Sequence, residues 1–158
     1  MDLIIADLTN TFSVVQPQVA ALRLLAAVVL AGMIGFEREI MTKPAGLRTH
    51  MLISLAACRF ILVAFELSSL TLFGDAEVRR VDPLRLIEAV TAGVALLAAG
   101  AVFTMKGEVK NLTTGASMWL AGAVGPACGA GRLPLAALAV GIGLAVLTAA
   151  RMIERHNR

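Results

Sequence analysis

Apolar residues in this chain come in long blocks broken by short polar interruptions. That is the pattern of bilayer-crossing helices, not of alternating strands or half-buried surface helices. Five blocks have roughly the 18 to 22 residues that an α-helix needs to cross about 30 Å of hydrocarbon. They run from about Val19 to Phe36, His50 to Phe73, Leu84 to Met105, Thr113 to Gly131 and Leu133 to Ile153. The fold expected is an all-α integral membrane protein, with about five transmembrane helices in one compact bundle and a single domain over residues 1–158. The fourth block is rich in glycine and carries Pro126, so a kinked or re-entrant helix is expected there. The densest polar interruption is KPAGLRTH, Lys43 to His50, between the first two blocks.

Composition agrees with the pattern and narrows it. The chain of 158 residues is 58% hydrophobic with a mean hydropathy of +0.83, well above a soluble domain. The N-terminal MDLIIADLTN has two aspartates and no lysine or arginine. It lacks the basic n-region of a cleaved signal peptide, and the first span is expected to be retained. A net charge of +3, with no basic stripe interleaved with aromatics, argues against a nucleic-acid partner. The absence of tyrosine disfavours a β-barrel with aromatic girdles. Cys58 and Cys128 lie inside apolar blocks, outside any CxxC or Cys/His cluster. They read as small apolar fillers, with no metal site or cofactor implied.

Loop cations suggest an orientation. Arg38, Lys43, Arg48, Lys106, Lys110, Arg151, Arg155 and Arg158 fall on one side, against Arg79, Arg80, Arg85 and Arg132 on the other. The positive-inside rule then predicts an outside N-terminus and a cytoplasmic C-terminus, with KPAGLRTH at the cytoplasmic face. A weak internal repeat (Leu22-Arg23-Leu24 with Leu84-Arg85-Leu86; Leu47-Arg48-Thr49 with Leu112-Thr113-Thr114) would set two cytoplasmic helix starts side by side.

Charges within the blocks each require a reason, since one at a helix centre costs about 2.5–3.5 kcal/mol on insertion scales. The orientation puts Arg23, Glu66, Arg85 and Glu88 in the outer half, where they would converge. Arg59 lies nearest mid-membrane, and Glu66, seven residues on, is about 10 Å further along the axis. A carboxylate from another helix is therefore expected for Arg59, with Glu88 the first choice. Such an intramembrane polar cluster (Arg23, Arg59, Glu66, Arg85, Glu88) serves either to keep helices in register or to line an outward-facing pocket or ion path. Arg23 and Arg85 could instead snorkel.

The cytoplasmic face is denser. Glu37, Arg38 and Glu39 end the first span, Arg48, Thr49 and His50 start the second, and Asn111, Thr113, Thr114 and Ser117 start the fourth. Thr49 and Thr113 or Thr114 are candidate N-caps, and helix N-termini attract anions. Capping and anchoring are the plain reading of this motif; partner or anion binding is the functional one. Small residues four apart, Ala31/Gly35, Ala89/Gly93, Gly125/Gly129 and Ala137/Gly141/Ala145, let helices approach closely, within one chain or in a homodimer.

Three stretches make a pattern that can be recognised: GFEREIMTKPAGLRTHMLISL (Gly35 to Leu55), DPLRLIEAVTAGVALLAAGAVF (Asp82 to Phe103) and VKNLTTGASMWLAGAVG (Val109 to Gly125). In that order they resemble the MgtC/SapB family of bacterial inner-membrane proteins. The resemblance implies five spans in the orientation above, a link to growth in low magnesium, and in pathogens survival inside macrophages. One member acts by binding and inhibiting the ATP synthase, which implies a membrane-protein partner of that kind. The chain departs from the family pattern at Ala95, Leu96 and Ala98, where two glycines and an aromatic are usual, and at Arg59, where an apolar residue is usual. With the chain ending at Arg158, the soluble domain of longer members is expected to be absent.

The leading expectation is a non-enzymatic regulatory membrane protein working through intramembrane contacts, with the lipid bilayer as its surroundings. The rival is a small permease for magnesium or another cation, with Glu66, Glu88 and Arg59 along the path. A third is a lipid- or anion-binding module anchored by Arg48 and Thr113.

Overall fold

Each apolar block becomes a helix in the computed structural model, which describes residues 12–69, 82–105 and 108–156. The elements in chain order are α1 (Pro17–Ile40), α2 (Leu47–Ser69), α3 (Pro83–Ala101), strands β1 (Phe103–Met105) and β2 (Glu108–Lys110), α4 (Leu112–Gly129) and α5 (Leu133–His156). Pro17 and Pro83 stand at helix starts, where the missing N–H is no loss. Asp82 caps α3 by accepting from the Leu84 N–H at 3.0 Å.

Helix bounds depart from the block reading at three places. The first helix runs on through Glu37-Arg38-Glu39, with Arg38 in its last turn, where a cation complements the helix dipole. The third stops at Ala101 because Val102 turns extended (φ −93°, ψ 128°). Phe103–Met105 then pairs antiparallel with Glu108–Lys110, Phe103 opposite Lys110; valine, phenylalanine and threonine in succession favour that pleated geometry over another helical turn. Phe73, the expected end of the second span, lies outside the described residues. So do Arg79, Arg80, Lys106 and Arg158 of the orientation count.

Four of the described helices, α1, α2, α3 and α5, are long and apolar enough to cross a membrane. The fifth, α4, is the axis of the bundle and packs against all four. A helix screened from lipid by its neighbours has no need of apolar residues on every face, which explains its glycines, serine and threonines. It runs without interruption to Gly129, so the re-entrant shape expected around Pro126 is not adopted. Pro126 falls in its last turn, where only the Gly122 carbonyl loses a helical partner.

Glycines set how closely α4 can be approached. A Cβ on Gly125 would meet the Ala57 Cβ at 2.6 Å and the backbone N of Cys58 at 2.9 Å, and one on Gly129 the Cys58 carbonyl at 2.8 Å. The Gly125/Gly129 pair therefore seats α4 backbone-to-backbone on α2. Around that seam Ala27, Ile34, Cys58, Leu62, Val124, Cys128 and Val140 form one core cluster. Outward faces carry Leu25, Leu52, Leu96, Leu138 and Ile142, all more than half exposed. An apolar exterior this extensive suits hydrocarbon and would not stay dissolved.

Candidate functional site

The polar interruption between α1 and α2 folds back on itself with few free groups. After Ile40 the Thr42 N–H bonds the Glu39 carbonyl (2.9 Å) and the Lys43 N–H the Arg38 carbonyl (3.1 Å), the paired bonds of a Schellman ending. Thr42 takes the left-handed position, φ 55°, which a β-branched residue adopts only under strain. Five residues later α2 begins, and its orphan Leu47 N–H is taken by the Glu39 carboxylate at 2.8 Å. A carboxylate at a helix N-terminus is favoured by the dipole as well as by the hydrogen bond. Gly35 makes this turn possible, since a Cβ there would lie 2.7 Å from the Leu47 Cα and 3.0 Å from the His50 Cβ.

Below the turn lies a buried polar cluster built from three helices. It comprises Glu37 and Arg38 of α1, His50 and Ser54 of α2, and Thr114 and Ser117 of α4. His50, Ser54 and Thr114 are completely buried, and Arg38 and Ser117 nearly so. Arg38 Nε donates to the Glu37 carboxylate in an ion pair withdrawn from solvent. His50 Nδ1 meets the Gly46 carbonyl at 2.8 Å, and Nε2 meets Ser117 Oγ at 3.0 Å. Ser117 Oγ in turn donates to the Thr114 carbonyl at 2.9 Å.

Counting protons shows what this chain can do. A neutral imidazole and one hydroxyl bring two hydrogens to three contacts, so Ser117 must choose between His50 Nε2 and the Thr114 carbonyl. An imidazolium would bring the third hydrogen that all three contacts together require. Three further buried oxygens in the cluster, Glu37 Oε1, Ser54 Oγ and Thr114 Oγ1, have no hydrogen-bond partner. Unpaired polar atoms in a dry interior are costly and mark a place where a proton, a water or a small cation has something to bind.

The rest of the motif expected at the cytoplasmic face is distributed around this cluster rather than within it. Arg48 and Thr113 are exposed, and Thr49 is half-buried in the first turn of α2. None of the three threonines is an N-cap. Glu39 serves the start of α2, and α4 starts from Asn111 in the left-handed conformation (φ 63°) with no side-chain cap. Asn111 instead donates from Nδ2 to the Ala101 carbonyl at 3.2 Å, tying off the end of α3. The starts of α2 and α4 do lie side by side, joined at His50 and Ser117.

The four charges expected to converge in the other half of the bundle do not meet, and Arg59 nearer mid-membrane does not join them. Arg23 Nη1 donates to the Gly129 carbonyl at 2.8 Å, serving the end of α4, a favourable setting for a cation. Glu66 accepts from the backbone N–H groups of Ser13 (2.9 Å), Val14 (3.2 Å) and Val15 (3.0 Å), and from Ser13 Oγ (2.7 Å). That holds the segment before α1 against the end of α2. Arg59, Arg85 and Glu88 are exposed, and among the described residues the ion pair is Arg38–Glu37; the expected Arg59–Glu88 pair within the chain does not form.

Two members of the cluster end escaped the sequence reading in their roles. Glu39 caps the next helix, and Ser54 stands one turn beyond His50 on the same buried face. The spacing signal was there, His50/Ser54 four apart and Thr114/Ser117 three apart, each the period of one helix face. Of the small-residue pairs, Gly35, Gly125 and Gly129 pack within the chain and Ala31 is buried. Ala89 and Gly93 are exposed, with nothing within 4 Å of a Cβ built on Gly93.

Residues 24–156 match the MgtC family. Protein MgtC of Brucella abortus (strain 2308) is 36% identical over 123 residues, covering 78% of this chain and 48% of that protein. YhiD of Escherichia coli K12, provisionally described as a magnesium transporter, is 34% identical over 119 residues, 72% of this chain and 52% of its own length. Protein MgtC of Salmonella typhimurium is 35% identical over 111 residues, 70% and 43%. The chain thus spans about half the length of these relatives. No solved structure matches it.

Proposed function

The chain belongs to the MgtC family, and on that premise we propose that it is a non-enzymatic regulatory protein of the bacterial inner membrane. It works in magnesium limitation and intracellular stress by contacting a partner within the membrane. In this reading the N-terminus is outside and the buried polar cluster lies near the cytoplasmic face. The observation that carries it is the disposition of the intramembrane charges. Arg23 and Glu66 are engaged in holding the bundle together, and Arg59, Arg85 and Glu88 face outward. Charges turned toward lipid suit recognition by another membrane protein better than they suit a path through this one. The family resemblance implies a complex of the ATP synthase kind.

Pull-down in gentle detergent from magnesium-starved cells should recover a second membrane complex, and cells lacking the chain should grow poorly in low magnesium. Recovery of this chain alone, together with normal growth of the deletion strain, would remove the regulatory reading.

A permease is the second reading, favoured by one observation, the buried and unpartnered oxygens of Glu37, Ser54 and Thr114. Oxygen donors on separate helices are what a hard cation such as magnesium takes. It predicts magnesium flux in proteoliposomes above empty vesicles, abolished by Glu37→Gln; flux equal to that of empty vesicles would dismiss it.

A further inference from the structure

Helix α3 is held to α4 over its second half only. A Cβ on Gly115 would lie 3.3 Å from the Ala98 carbonyl oxygen, and one on Gly122 2.8 Å from the Val94 Cγ atoms. Before Val94, none of the residues described between Leu84 and Gly93 is buried. This first half of α3 stands off, and two grooves open beside it. One, of about 590 Å³ against α2, has no charged residue on its walls. The other, of about 330 Å³, is walled by Phe65 of α2, Ile87 and Thr91 of α3, and Ala123 and Pro126 of α4, with Arg132 at its head.

The chain reversal after α4 places that arginine. The Gly131 N–H bonds the Cys128 carbonyl (2.9 Å) and the Arg132 N–H the Ala127 carbonyl (2.8 Å), a Schellman ending with Gly131 at φ 75°. The Arg132 side chain is exposed and has no ion-pair or hydrogen-bond partner among the described residues. Arg23 reaches the same reversal, its Nη2 2.8 Å from where a Cβ on Gly131 would stand. Glu66 and Asp82, at the same end of the bundle, are engaged by backbone N–H groups, and Glu88 is not among the walls. The groove is therefore oily within and positive at its mouth. Along α4 it runs from Gly122 to Ala130, about 12 Å, against roughly 15 Å of hydrocarbon in one leaflet.

We propose that this groove binds an anionic phospholipid, with one acyl chain between α3 and α4 and the headgroup phosphate on Arg132. Charge and length together select that occupant. An arginine at the membrane surface pairs with a phosphate in a charge-assisted hydrogen bond, and an acyl chain of one leaflet matches a groove that stops short of mid-membrane. A free phosphate gains nothing from the apolar walls, and a zwitterionic lipid brings a cation of its own toward the arginine. The bound chain fills the space that α3 leaves open. The inference stands apart from the regulatory and permease readings, since either activity can reside in a lipid-bound bundle.

Competition between two lipids tests it. The chain is exchanged into micelles holding equal amounts of phosphatidylglycerol and phosphatidylcholine with the same acyl chains, and native mass spectrometry counts each lipid retained. The wild type should retain phosphatidylglycerol roughly fivefold over phosphatidylcholine. Arg132→Gln should abolish that preference, and Arg132→Lys, which keeps the charge, should preserve most of it. Ala123→Phe leaves every charge in place but puts a ring into the groove; it should abolish the preference too, which a merely basic surface would not. Both positions are exposed, so the variants should keep the helical circular dichroism of the wild type. Equal retention of the two lipids by the wild type would overturn the proposal. So would a preference that survives Arg132→Gln or Ala123→Phe, or one that is lost in Arg132→Lys.

Discussion

The α1–α2–α4 side of the bundle and the α3 side are made from similar residues and put them to opposite use. On the first, glycines at positions 35, 125 and 129 bring backbones together, and polar side chains are buried between them. On the second, a Cβ on Gly93 would meet nothing within 4 Å, Val94 is the one buried residue of α3 among those described, and charged groups face outward. Small residues four apart permit close packing without saying which neighbour will use it. The neighbour is chosen by what flanks them: Gly125 stands between Ala121 and Cys128 on a face buried all along α4, whereas Gly93 stands among exposed leucines and alanines.

The contrast can be broken most forcefully at His50. Replacing it with alanine would leave a cavity and remove the ring contacts to the Gly46 carbonyl and the Ser117 hydroxyl, each of which keeps one other partner. The expected loss is about 2–4 kcal/mol, read as a lowered unfolding midpoint in mixed micelles. A loss below about 0.5 kcal/mol would mean that the cluster is not a structural core.

Next comes the matched pair Gly125→Ala and Gly93→Ala. The first drives a methyl into the α2 backbone and should cost about 1–3 kcal/mol. The second should be neutral, within about 0.5 kcal/mol, or slightly stabilising through helix propensity. Equal effects in the same unfolding assay would erase the distinction between the two sides. The smallest change is Thr42→Gly, which relieves a left-handed β-branched residue on the close-packed side. It should raise stability by about 0.5–1 kcal/mol after the entropy of glycine in the unfolded chain is counted. Unchanged or lower stability would show that Thr42 is not strained.

Much of this was legible from residue order. Long apolar blocks identified the helices, because bilayer thickness fixes their length irrespective of their neighbours. His50 and the threonine-rich start of α4 were readable as one polar face. What the residues on either side of the contact would do was not, since capping by Glu39 depends on a turn that returns within eight residues to the same helix end. Pairing of charges was the least legible part. A position along a helix gives depth, but only the packed bundle gives the azimuth, and Arg59 and Glu88 end exposed and unpaired within the chain. The ribbon of Phe103–Met105 was hidden for a different reason, being apolar enough to read as the end of a span.

Arg23 has a consequence for how the protein is made. Its acceptor, the Gly129 carbonyl, lies 106 residues later in the chain. At about 5–20 residues per second, roughly 5–20 s pass between synthesis of the arginine and of the group that receives it. Through that interval α1 must hold its guanidinium at the headgroup region, where water and phosphate can serve it. Only when α4 arrives does Arg23 exchange those contacts for the end of a helix. The first helix thus waits at the membrane surface for the fourth, and the order of translation becomes the order in which the bundle closes.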